Sequence, residues 1–285
     1  MADVGLIGVG LVGAALAERL INDGWRLIGY DRRPERMQVL TSLGGTAFES
    51  ARAVVEVVPY VVLSLPDSDT VEVVVREIEP VLRGRWIVDT TTGDPERTSI
   101  LGRRLKAAGI DYVDATIAGS SREVREGKVI VMAGGEVSQV GICSRLFESF
   151  AAQWFHVGPW GSGARMKLAI NLVLGLNRAV LAEGLSFARA CGLDPQTVLA
   201  ILQASAAYSR VMNTKGPKMI TGDFSPEARL SQHYKDVRLI LEAGRRADIE
   251  LPLSEVHERL LASAEELGAG DLDNSAIIRA FGREV

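Results

Sequence analysis

Cysteine is scarce here: Cys143 and Cys191 are the two in 285 residues. They lie far apart inside helix-like patterns, which excludes a disulfide framework and leaves both as small buried hydrophobes. Histidine is nearly as rare: His156 and His257 have no ligand-type neighbours at metal spacing, and a lone His233 reads as an ordinary hydrogen-bonded residue or a pocket-lining one, so no metal is expected. Charge of one sign is never concentrated. The 32 basic and 36 acidic residues are interspersed and sum to −4, without the basic stripe that nucleic acid or a membrane surface requires. An uninterrupted hydrophobic run is also missing. The most apolar stretch, Leu168 to Ala188, is broken by Asn171, Asn177, Arg178 and Glu183, which suits a buried helix better than a bilayer span. "MADVGLIGVG" passes directly into a strand pattern rather than a secretory signal. A soluble protein of the reducing cytoplasm is the expectation, and the chain carries no internal repeat or low-complexity tract.

What is present is an ordinary globular balance, 47% hydrophobic and 24% charged. The first half alternates strand candidates with helix-length segments: "VGLIG", "RLIGYD", "YVVLSL", "WIVDTT", "DYVDA", "KVIVMAG" and "WFHVG". Such alternation implies a mostly parallel, doubly wound sheet covered on both faces, a Rossmann-type α/β domain over residues 1–162. After Gly158 the strand signal stops. "GPWGSGA" reads as a Gly-rich joint, and residues 163–285 read as an all-helical domain punctuated by Pro195, Pro217, Pro226 and Pro252. A helix from about Ala164 to Cys191, ~40 Å long, joins the two. It has more apolar face than one small domain buries, so a homodimer or homotetramer is expected.

"GLIGVGLVGAAL" places Gly8, Gly10 and Gly13 in G-x-G-x-x-G spacing between a strand and a helix. The first glycine makes the turn, the second admits a pyrophosphate, and the third packs helix on strand. The free N–H groups of the helix start at Leu11 and Val12 then face the anion. Asp31, closing the second strand, is the acid expected on an adenosine ribose, which favours NAD over NADP. Arg32 and Arg33 beside it are natural phosphate ligands, so NADP stays open. "LSLPDSD" and "VDTTTGDP" open onto the same crevice, where Leu65 and Pro66 pack along the cofactor and Thr92 offers a hydroxyl.

Within "GARMKLAINLVLG", Lys167 and Asn171 stand one turn apart on one helical face. A lysine near a helix start ordinarily snorkels to water. With these residues the chain resembles the β-hydroxyacid dehydrogenases, the family of 3-hydroxyisobutyrate dehydrogenase. The resemblance runs through five blocks in order: "GLIGVGLVGAALAERL", "VDTTTGDPE", "DATIAGSSREVREGKVIVMAGG", "GSGARMKLAIN" and "FSPEARLSQHYKDVRL". It implies nicotinamide-dependent oxidation of a hydroxyl β to a carboxylate, or the reverse reduction, with a small 3-hydroxy acid as substrate. By the same resemblance Lys167 is the general acid/base, Asn171 holds the substrate, Lys235 closes over cofactor and substrate, and Asp236 pairs locally. Such chemistry suits a lysine, because partial desolvation lowers the ammonium pKa.

The departures cluster at the substrate. Ala118, Gly119 and Ser120 stand where the family has S-G-G, so Ser120, Ser121 and the Gly119 amide are the candidates to hold the carboxylate. Arg122 and Glu123 replace smaller or neutral residues, Ala228 stands where an aromatic often occurs, and Ile170 replaces the first asparagine of a usual pair. A 3-hydroxyisobutyrate-like or a sugar-acid-derived substrate both fit. An imine reductase and a non-catalytic dinucleotide-binding module are the competing readings; the first of these families usually lacks the lysine.

Overall fold

The computed structural model describes residues 3–282. The strands are β1 (Asp3–Ile7), β2 (Arg26–Tyr30), β3 (Thr46–Ala47), β4 (Tyr60–Leu63), β5 (Trp86–Asp89), β6 (Asp111–Ala118), β7 (Val129–Gly134) and β8 (Ala151–Gly158). Their order across the sheet is β3-β2-β1-β4-β5-β6-β7-β8. Every neighbouring pair is parallel except β6 and β7.

Both faces are buried because the apolar strands alternate their side chains between two cores. Val62, Val88 and Val113 enter one cluster with Leu16, Leu20 and Phe147. Val61, Leu63, Ile87 and Tyr112 enter the other with Val54, Val75 and Leu105. The covering helices are α1 (Leu11–Asn22), α2 (Pro34–Ser42), α3 (Ala51–Val57), α4 (Ser68–Ile78), α5 (Pro95–Ala107), α6 (Ser121–Arg125), α7 (Val137–Ile142) and α8 (Ser144–Glu148). They start where capping chemistry says: Asp67 caps α4 through the Thr70 amide, and Asp94 caps α5 through the Glu96 and Arg97 amides.

α9 (Ser162–Ala190) is the long helix expected, and it joins the sheet domain to α10 (Pro195–Ala204), α11 (Val211–Thr221), α12 (Leu230–Arg246) and α13 (Pro252–Ala264). The chain divides into two compact units after Lys167, inside α9, whereas composition places the boundary at residue 162. The second unit has its own core of Leu181, Ala182, Leu185, Leu230, Val237 and Leu261. By length and composition α9 meets the test for a membrane-crossing helix. Asn171 and Arg178 lie buried on it, and its Leu181, Ala182 and Leu185 belong to the core of the second unit.

Two sequence expectations change. Pro217 does not punctuate: it lies inside α11, where its missing N–H and ring cost one intrahelical bond that tertiary packing of Met212, Gly216 and Met219 outweighs. Cys191 is exposed, while Cys143 is buried and burial pushes its thiol up to about 12. The Gly-rich joint is packed against the sheet domain. The Trp160 ring lies on Gly102, where a Cβ would come within 2.4 Å of it, and its indole N–H donates to the Tyr112 carbonyl at 2.8 Å.

Candidate active site

The order of strands reverses between β1 and β4, and doubly wound sheets bind ligands at that switch point. Thirteen of the sequence candidates lie just past the carboxyl ends of β1, β2, β4, β5 and β6, on one edge of the sheet. At the first turn, Gly8 has φ +96°, and a Cβ there would stand 2.3 Å from the Ser64 carbonyl oxygen. Only glycine closes this turn. A Cβ on Gly13 would stand 2.1 Å from the Gly8 oxygen, so α1 rests directly on the turn. Gly10 behaves differently: it is the N-cap of α1, and nothing lies within 4 Å of the position a Cβ would take. Packing does not require glycine there; a ligand approaching the N–H groups that follow, from Leu11 and Val12 onward, does. The turn therefore fits a dinucleotide pyrophosphate.

Asp31 follows β2 with its side chain largely buried. Its Oδ2 accepts the Val9 amide at 2.8 Å and its Oδ1 accepts the Arg33 amide at 3.0 Å. The carboxylate thus ties the G-x-G turn to the end of β2. Arg33 caps α2 and pairs with Asp31 at 3.4 Å, which explains one of the two arginines structurally. Arg32 is exposed. Leu65 donates its amide to Thr91 Oγ1 at 3.1 Å, Pro66 is exposed, and Thr92 is half-buried beside buried Thr91.

At the end of β6 one of the sequence candidates already has a partner within the chain. Ser120 is the N-cap of α6 in a capping box: its hydroxyl accepts the Glu123 amide at 3.3 Å, while Glu123 Oε2 accepts the Ser120 amide at 2.9 Å and hydroxyl at 3.2 Å. Ser120 is thus engaged by the protein's own carboxylate. Ser121 is buried, and Gly119 is exposed with φ +148°. The serine at a helix start followed three residues on by a glutamate is a readable cap signal.

Lys167 stands half-buried in the second turn of α9. The start of this helix is anchored on β6, where Asp114 Oδ2 accepts the Gly161 amide at 2.7 Å and Thr116 Oγ1 donates to the Gly163 carbonyl at 2.8 Å. The sequence signal for both is a carboxylate and a hydroxyl alternating inside an apolar strand. In the second unit, the Asn171 amide donates to Asp236 Oδ2 at 2.8 Å, and the Lys235 ammonium lies 3.1 Å from Asp236 Oδ1. Asn171, Lys235 and Asp236 are thereby brought together. His233 packs on His257 with ring centroids 5.2 Å apart, over Gly175, where a Cβ would meet both rings at 2.5 Å. Among the described residues no cluster of three or more His, Cys, Asp or Glu is arranged to hold a metal ion.

A family model for the NAD binding domain of 6-phosphogluconate dehydrogenase matches residues 3–158. A second, for NAD-binding of NADP-dependent 3-hydroxyisobutyrate dehydrogenase, matches residues 161–281. The chain is 31% identical to 2-hydroxy-3-oxopropionate reductase of Escherichia coli, over 98% of this chain and 96% of that protein. It is 30% identical to 2-(hydroxymethyl)glutarate dehydrogenase of Eubacterium barkeri, over 98% and 94% respectively. The 3-hydroxyisobutyrate dehydrogenase of Salmonella typhimurium has the same fold, with a TM-score of 0.90 at 22% identity over 98% of this chain and 99% of that one. On the switch-point turn, the two matched family models and these relatives, the chain belongs to the β-hydroxyacid dehydrogenase family.

Proposed function

We propose that this chain is a nicotinamide-dependent dehydrogenase that oxidises the hydroxyl of a small 3-hydroxy acid, or reduces the matching carbonyl, with Lys167 as general acid/base. When bound, the nicotinamide supplies the hydride chemistry. The chain's own residues do the rest. The Gly8–Gly13 turn and the first amides of α1 hold the pyrophosphate, and Asp31 holds the ribose, which favours NAD over NADP; Leu65, Pro66 and Thr92 border the cofactor. Lys167 takes the proton from the substrate hydroxyl at Nζ in oxidation and returns it to the carbonyl oxygen in reduction. Asn171 is oriented by its bond to Asp236 and holds the substrate; Lys235, paired with the same carboxylate, contributes a second positive charge toward an anionic substrate. Gly119 and Ser121 are the remaining candidates beside the substrate carboxylate. We place the enzyme in the cytoplasm as a homo-oligomer, in keeping with its two free cysteines and the apolar face of α9.

The observation that carries this reading is the position of Lys167 and Asn171, one turn apart on a helix whose first turn is anchored on β6. The test is a panel of small 3-hydroxy acids with NAD and NADP, followed by absorbance at the reduced-nicotinamide band. The expected result is turnover of at least one acid, lost by about 10³-fold or more in Lys167→Ala with cofactor affinity retained. Strong residual turnover in the variant removes Lys167 from the chemistry, and no turnover of any acid by a folded, cofactor-binding chain favours the non-catalytic module.

A further inference from the structure

Asp114 sits mid-strand in β6, 1% exposed, in a place where an apolar side chain costs less. What surrounds it is the start of α9. Its Oδ2 accepts the Gly161 amide at 2.7 Å, and the amides of Ala164 and Gly134 also act to hold its charged form. Two glycines keep room for the carboxylate: a Cβ on Gly134 would come within 2.1 Å of Asp114 Oδ1, and one on Gly163 within 3.0 Å of it and 2.5 Å of the Met132 oxygen. Thr116, two residues along the same face of β6, binds the Gly163 carbonyl. The backbone of the first turn of α9 therefore lies directly on β6 and β7.

A negative charge at a helix N-terminus completes the unsatisfied amides and complements the helix dipole. That interaction is opposed by burial, which with the nearby Asp89 pushes the Asp114 carboxyl up to about 7, while the three amides pull it down. The titratable groups facing it are Asp89 on β5 and Tyr112 on its own strand, and these two are bonded to each other, Tyr112 hydroxyl to Asp89 Oδ2, at 2.9 Å. What this buried carboxylate holds in place is the start of α9. Lys167 is six residues beyond Gly161, so a shift or fraying of the first turn displaces its Nζ directly, and misplacement by about 1 Å costs on the order of 10²-fold in rate.

We propose that Asp114 is a positioning residue for Lys167, its carboxylate fixing the first turn of α9 through the Gly161 amide. The proposal rests on the reading of Lys167 as the acid/base. A merely structural carboxylate and a positioning one differ in what their loss does. Exchanging a costly buried charge for a neutral isostere does not lower stability at pH about 8, whereas it weakens the hold on the α9 amides.

The experiment compares Asp114→Asn, Lys167→Ala and the unaltered full chain by amide hydrogen exchange, steady-state kinetics across pH, and cofactor affinity. In Asp114→Asn, amides 161–167 are expected to exchange about 10-fold faster or more, while the rest of the sheet unit is unchanged. On the best acid of the panel kcat falls about 10- to 100-fold, cofactor affinity stays within about 3-fold, and the acid limb of the kcat profile near neutrality moves. A folded Asp114→Asn with unaltered exchange at 161–167, or with unaltered kcat and pH profile, overturns the proposal. If Lys167→Ala retains turnover, the reading of Lys167 falls, and with it this role of Asp114, even where the exchange result shows the helix anchored. Should Asp114→Asn fail to fold, Asp114→Ser, which also removes the carboxylate, decides: faster exchange confined to 161–167 with lowered kcat supports the proposal, and unaltered exchange or kcat overturns it.

Discussion

Gly10 and Gly13 stand three residues apart and do opposite work. A Cβ at Gly13 collides with the Gly8 oxygen at 2.1 Å, while one at Gly10 meets nothing. Gly13→Ala is therefore expected to destabilise the sheet unit by about 1–3 kcal/mol, visible as a lower denaturation midpoint without any ligand. Gly10→Ala is expected to leave that midpoint within ~0.5 kcal/mol and to weaken dinucleotide binding instead, measured by fluorescence titration. Equal effects of the two variants on both readouts contradict this division of labour. Glu123 supports a third residue-level expectation. It holds the Ser120 amide and hydroxyl that would otherwise be available to a substrate carboxylate. Glu123→Ala removes the capping box at a cost of about 1 kcal/mol and should lower KM for carboxylate substrates about 5-fold, the worth of one recovered hydrogen bond. An unchanged KM places Ser120 away from the substrate.

At the level of elements, α9, α12 and α13 meet at Gly175, where the absence of a side chain lets His233 and His257 pack on the α9 backbone. His257 is 2% exposed, and burial first, then the charge of Arg178, push its pKa down from 6.5 to about 4. Arg178 is itself buried and lowered to about 10, still a cation at neutral pH. The sign follows from proton counting. Between about pH 4 and 6.5 the unfolded chain binds a proton at His257 that the folded chain does not, so stability from this residue is present above 6.5 and is lost as pH falls toward 4. Asp114 acts the other way. Its folded pKa is raised from 3.8 to about 7, so its contribution declines as pH rises through that window. Urea denaturation of the chain and of His257→Gln at about pH 7 and about pH 5 separates them: the variant should lose less stability on acidification than the parent. A parallel loss in both contradicts the assignment.

For the molecule as a whole, α9 exposes Val173, Val180 and Phe187 at 56%, 66% and 68%. These positions are seven residues apart and so form one apolar stripe, longer than a monomer ordinarily leaves to water. Val180→Asp with Phe187→Asp should shift the solution mass toward the monomer, read by light scattering, while the isolated fold keeps its circular dichroism; a monomeric parent chain removes the argument. Much of this was legible from local pattern. The G-x-G-x-x-G turn, Asp31, the strand and helix alternation and the α9 span depend on residues close in sequence, and their physics, turn geometry, capping and periodicity, acts at short range. Lys167 and Asn171 stood out because a charge and an amide interrupt an apolar period. Pro217, exposed Cys191 and the commitment of Ser120 to Glu123 were misjudged or open because each depends on which neighbour wins the side chain or the solvent. Asp114 was passed over altogether: its partner Gly161 lies 47 residues away. Fold class and family were thus decided by the chain's local order. The identity of what holds each polar group was decided only when distant backbone amides and carboxylates were brought into hydrogen-bond range, because burial makes the nearest partner, not the residue type, set the energy of a charge.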